Sequence, residues 1–95
     1  MDLAARLNEQ RETVLKVAAK HGARNVRVFG SVARQDAIQR DIDLLVDLEK
    51  GRSLLDHVRL KNELEQVLGC RVDVLSERGL KPRIRERVLK EATPI

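Results

Sequence analysis

The stretch Asp41-Ile42-Asp43-Leu44-Leu45-Val46-Asp47-Leu48 decides the architecture. Its nearly continuous apolar middle suits a strand covered on both faces and central in its sheet. The two acids that open it are two residues apart. On a strand that spacing aims both carboxylates at one face, with Cα atoms roughly 6–7 Å apart, while Ile42 and Leu44 point the other way.

Upstream, Asn25-Val26-Arg27-Val28-Phe29 is alternating and β-branched, a first strand running into Gly30-Ser31, where Ser31 is placed to cap a short helix over Val32 to Gln35. Before it, Leu3, Leu7, Val14, Val17 and Ala18 recur near the helical period behind a cap at Asp2, and Gly22 is a stop, so one helix is expected over 3–21. Downstream, Ser53-Leu54-Leu55-Asp56 matches the capping box that opens a helix. That helix is expected to carry Leu54, Leu55, Val58, Leu64, Val67 and Leu68 on one face and to stop at Gly69. Arg71 to Leu75 reads as a third strand, and Pro82 opens a last helix with Ile84, Val88 and Leu89 inward, followed by a tail from Ala92 to Ile95. The order is helix, strand, short helix, strand, helix, strand, helix: an α/β arrangement about a small sheet, in a single domain over 1–95. The helix between the second and third strands permits a parallel crossover, while the first two strands could pair either way.

Composition narrows the function. The chain is 42% hydrophobic and 36% charged, which is enough for a core and argues against disorder. Phe29 is its one aromatic residue, so a module that stacks single-stranded bases on aromatic rings is nearly excluded. Cys70 stands alone and, with only His21 and His57 beside it, cannot complete a Cys/His zinc site or an internal disulfide. A reducing, cytoplasmic setting is expected, with no signal peptide and no apolar run near the roughly 20 residues of a membrane span. A net charge of +4 and a pI near 9.7 favour an anionic partner: a nucleotide, a nucleic acid or an acidic protein surface.

Two carboxylates fixed on one strand repel each other unless a cation lies between them, and such oxygen ligands favour Mg²⁺ or Mn²⁺. Asp73 repeats the logic. With Val72 and Val74 facing the core, its carboxylate leaves on the opposite side of the sheet. If the third strand neighbours the second, three carboxylates converge, enough to hold two Mg²⁺ ions for phosphoryl or nucleotidyl transfer. Gly30 allows close backbone approach to a phosphate, Ser31 and the amides of the next turn offer hydrogen bonds, and Arg34 can add a charged contact.

As an ordered set, Phe29-Gly30-Ser31-Val32-Ala33-Arg34, Asp41-Ile42-Asp43-Leu44-Leu45-Val46 and Val72-Asp73-Val74 resemble the minimal nucleotidyltransferase group of the DNA polymerase β-like superfamily. The resemblance covers nearly the whole chain. It implies a small mixed sheet flanked by helices, ATP as substrate with Mg²⁺, and AMP transfer to a protein hydroxyl. It also implies an antitoxin that silences a HEPN-type RNase toxin by adenylylating a tyrosine. Carried over by motif, Gly30, Ser31 and Arg34 would hold the triphosphate, Asp41 and Asp43 the metals, and Asp73 would be the third metal-site carboxylate and help deprotonate the incoming hydroxyl. The chain departs from the group in having nine residues between Ser31 and Asp41, where many members have ten, and in Gln35 and Arg40, where Gly and Ser are common.

Plainer readings stand beside these. The acids could be solvated strand-edge residues, Arg34 an ordinary helix residue, and Arg83, Arg85 and Arg87 the wet side of an amphipathic helix; His57 and Cys70 read as structural. The alternative function is a non-catalytic antitoxin, or a basic module that neutralises a partner protein or binds nucleic acid by direct contact. An exposed sheet edge would also leave pairing with a second copy open.

Overall fold

A computed structural model describes residues 2–95. The elements are α1 (Leu3–Glu9), α2 (Arg11–Lys20), β1 (Ala23–Phe29), α3 (Gly30–Ala33), β2 (Ile42–Leu48), α4 (Leu54–Leu68), β3 (Val72–Ser76), α5 (Pro82–Glu91) and β4 (Thr93–Pro94). The four-stranded sheet is ordered β3-β2-β1-β4. β2 runs antiparallel to β1 and parallel to β3, and β4 adds antiparallel to β1. The sheet is therefore mixed, as the resemblance implied, and the helical α4 makes the parallel crossover.

β2 is covered on both faces. Ile42, Leu44 and Val46 join Val14, Ala18, Leu60, Leu64 and Leu68 in the larger core under α1, α2 and α4, whereas Leu45 packs with Leu80 and Val88 beneath α5. The face under α5 is built in three parts. Asp43 lies near one end, Leu45 in the middle, and at the far end Arg27, 11% exposed, donates to Asp47 at 3.0 Å and Glu77 at 2.8 Å.

Four sequence expectations need correction. The first helix is two, broken at Gln10, whose backbone leaves the helical region. Asn8 to Thr13 is wholly polar, so nothing there holds the chain straight, and the bend lets Leu3 and Leu7 reach the same core as Val14, Val17 and Ala18. Ser31 does not cap α3: the helix opens at Gly30 after an extended Phe29. The tail contributes β4 to the sheet. On α4 the buried residues are Leu60, Leu64 and Leu68, while Leu54, Leu55 and Val58 point into solvent. The start of α4 is as expected, since Asp56 accepts from the backbone and hydroxyl of Ser53, and Gly69 ends it in the left-handed region.

α4 also lies along the outer edge of β3. The Val72 N–H donates to Glu65 at 3.0 Å, and the Val74 carbonyl accepts from Nε2 of His57 at 2.6 Å. Two helix side chains thus occupy groups that an edge strand would otherwise offer to another strand. No helix among the described residues is long and apolar enough to cross a membrane.

Leu44 and Leu45 are both fully buried, on opposite faces of one strand. Leu44→Ala and Leu45→Ala should each lower the unfolding free energy by about 2–5 kcal/mol, read as a lower urea midpoint at unchanged slope.

Candidate functional site: an acidic cleft at the end of β2 and β3

β2 and β3 pair with Asp43 directly beside Asp73, in parallel register. Both share the parity of Leu45 and Leu75 and so emerge under α5. Asp41 precedes β2 by one residue. Phe29 opposes Asp43 across β1 and β2, which brings Gly30 against the same carboxylate. Gly30 adopts φ +75°, and a Cβ there would collide with Oδ2 of Asp43. The glycine is required twice over, for its backbone and for the space it leaves.

These residues line one cleft of about 530 Å³, with Ser31, Arg34, Ile38, Arg40 and Lys61 on its walls and Arg87 and Glu91 reaching in from α5. The structure thus brings together all six residues singled out in the sequence: Gly30, Ser31, Arg34, Asp41, Asp43 and Asp73. A larger hollow of about 690 Å³ lies at the far end of the sheet. Of its wall charges, Asp47 and Glu77 are taken by Arg27 and Glu49 by Arg52, while the cluster of carboxylates without ion pairs that marks the first cleft has no counterpart here among the described residues.

Asp43 is the perturbed acid. Burial pushes it up from 3.8 to about 6, helped by the charge of Asp73, by the hydrogen bond a protonated Asp43 makes to Asp73, and by the charge of Asp41; Arg34 pulls it part of the way back. Burial is the leading cause, which is what a carboxylate between two covered strands should show. Arg34 is held at the cleft by two carboxylates, Glu91 at 2.7 Å and Asp36 at 3.1 Å. Among the described residues no three His, Cys, Asp or Glu side chains form a ready-made metal cage. Mg²⁺ does not require one, since it commonly takes one or two carboxylates and completes its shell with water and substrate phosphates.

Lys61, Arg40, Arg87 and Glu91 escaped the sequence reading. Sequence places Arg87 with Arg83 and Arg85 on the wet side of its helix, yet Arg85 donates to the Glu77 carbonyl and Arg87 lines the cleft. The signal was its place four residues before Glu91, which puts the two on one side of α5. His57 and Cys70 are structural, as read: His57 is spent on Val74, and burial raises the Cys70 thiol.

Residues 10–95 match the model of the nucleotidyltransferase domain family. The chain belongs to that family. It is 43% identical over 90 residues to a Methanocaldococcus jannaschii chain provisionally named a protein adenylyltransferase, covering 94% of this chain and 97% of that one. It is 39% identical over 89 residues to the protein adenylyltransferase MntA of Thermococcus cleftensis, covering 87% and 90%. A solved structure provisionally described as a minimal nucleotidyltransferase is 60% identical and superposes with a TM-score of 0.86 over 100% of this chain and 97% of its own. A toxin–antitoxin structure with AMP-PNP shares the fold, with a TM-score of 0.75 at 17% identity over 87% and 69% of the two chains. Nucleotidyl transfer is the chemistry of this chain, on a minimal nucleotidyltransferase fold.

The folded chain binds the Asp43 proton more tightly than the unfolded chain does, so the associated stability is complete below about pH 4 and lost as pH rises through about 6. In metal-free buffer Asp43→Asn should therefore melt higher than the parent at pH 7.5, and the gap should close by pH 4. Gly30→Ala should cost about 1–2 kcal/mol from the backbone alone, with a further loss from its contact with Asp43, measured by thermal melts.

Proposed function

We propose that this chain uses Asp41, Asp43 and Asp73 to hold Mg²⁺ with ATP, and transfers AMP to a hydroxyl, probed first as tyrosine, of a HEPN-type toxin for which it is the antitoxin. The observation that carries this reading is the in-register pair Asp43 and Asp73 beside Gly30. A half-buried acid raised to about 6 by burial and by like charges is a site in need of a cation, and its donors are all hard oxygens. Bound Mg²⁺ would supply charge neutralisation on the triphosphate and on the departing pyrophosphate.

The chain's own residues then have distinct tasks. Gly30 and Ser31 leave room for a phosphate against the backbone, and Arg34, with its guanidinium oriented by Glu91 and Asp36, faces the same space. The acceptor hydroxyl forms a bond to the α-phosphorus as the bond from that phosphorus to the bridging oxygen breaks, and pyrophosphate leaves. Asp73 takes the hydroxyl proton. It is the exposed member of the pair, on the edge strand, and so faces the side from which a protein acceptor arrives. Relatives named protein adenylyltransferases and neighbours solved as toxin–antitoxin pairs support a protein acceptor of this kind.

Intact-mass spectrometry of the HEPN-type protein encoded beside this chain, after incubation with the chain, ATP and Mg²⁺, should show one or more added AMP units. EDTA should abolish the gain, and Asp43→Asn should slow it by more than about 100-fold. A stable complex with no mass change would favour neutralisation by contact and overturn AMP transfer to this partner.

A further inference from the structure

We infer that the exposed apolar start of α4, formed by Leu54, Leu55 and Val58, is the surface on which the acceptor protein docks. This rests on the adenylyl-transfer reading above. A helix at the edge of a domain spends its apolar residues on the core, and α4 does so with Leu60, Leu64 and Leu68. Leu54, Leu55 and Val58 are a second set, 78%, 55% and 43% exposed, contiguous on one side of the first two turns. Single exposed leucines are ordinary; three neighbours on one helix face mark a contact surface.

Its position identifies the occupant. Leu54, Val58 and Lys61 follow one another at i, i+4 and i+7, so they form a ridge along the helix. Lys61 ends that ridge inside the cleft that also holds Asp73, and Ile38, 73% exposed, stands on the wall of the same cleft. A protein lying on the ridge therefore reaches the edge strand that carries the proposed proton acceptor. Strand addition at Val72 and Val74 is obstructed, because Glu65 takes the Val72 N–H and His57 the Val74 carbonyl. Recognition must run through side chains, as when an amphipathic helix lies against an apolar surface.

Charge points to the same occupant. Arg59 borders the patch and makes no ion pair among the described residues, while Asp56 is turned to Ser53 and Arg52. The fitting partner is an apolar helix face with acidic flanks. A second copy placed patch to patch would bring two Arg59 side chains into one interface with no unengaged acid of the patch to answer them, and is disfavoured.

The test is steady-state AMP transfer to the HEPN-type protein used above, with acceptor concentration varied. Leu54→Glu/Val58→Glu should raise KM for the protein acceptor at least tenfold while leaving kcat, the calorimetric affinity for ATP with Mg²⁺ and the melting temperature near parental values. Both sites are exposed and Glu is a good helix former, so folding should survive. Lys16→Glu, on the exposed side of α2, should change nothing. A parental acceptor KM in the double variant overturns the assignment, as does a parental dimer that the double variant dissolves without altering that KM. If the parent transfers no AMP, the enzymatic reading fails by itself and complex formation decides. A complex with the same protein lost in the double variant upholds the surface; one that persists, or none at all, ends it.

Discussion

Everything in the cleft depends on β2 being covered on both faces. Ile42, Leu44 and Val46 are sealed beneath one set of helices and Leu45 beneath α5, so Asp43 cannot turn away from its neighbour without moving a strand packed from both sides. Asp73 stands in register beside it on β3. The result is two like charges side by side in a partly dry place, an arrangement that disfavours the folded state while both are ionised. The core absorbs that penalty. In return the site is set before any ligand arrives, and a cation held there would relieve the repulsion without the protein having to rearrange.

Much of this was legible because the signals are local. A nearly unbroken apolar run reads as a strand buried on both faces, and β2 is one. The Ser53 to Asp56 box and Gly69 bracket α4 through hydrogen bonds and a backbone angle that depend on few residues. The acids at 41 and 43 and the glycine at 30 were recognisable as a set, since few other duties call for those residue types at a strand's end. What made the third acid count was the pairing of β3 with β2, which spacing permitted but did not dictate.

The unread parts are those where tertiary contacts choose between locally equivalent options. α4 carries two apolar sets, Leu54, Leu55 and Val58 against Leu60, Leu64 and Leu68, and periodicity alone does not say which one the sheet covers. The first helix looked continuous because Leu3 to Ala18 keeps a near-helical rhythm across a polar stretch where the chain in fact bends at Gln10. Ser31 is a good cap by type, yet the extended Phe29 and left-handed Gly30 start the helix before it. Arg87 differs from Arg85 only in which side of α5 it occupies, and that depends on how α5 sits across Leu45 and Val88.

The two edges of the sheet show how so short a chain leaves one approach to its site. β4 pairs with β1 at Arg27 and Val28 and is the short outer strand on that side. β3 is shielded differently, by the side chains of Glu65 and His57 from α4, and Glu65 also holds Lys61 at 3.1 Å as it enters the cleft. One helix therefore supports the core, shields the edge that carries Asp73 and brings Lys61 to the cleft. A protein substrate must come over the outside of that helix, and there the chain has left Leu54, Leu55 and Val58 uncovered. Had that face neither core nor partner to cover it, polar residues would be expected there; apolar exposure beside an edge already shielded against strand pairing makes sense as a requirement of what binds there.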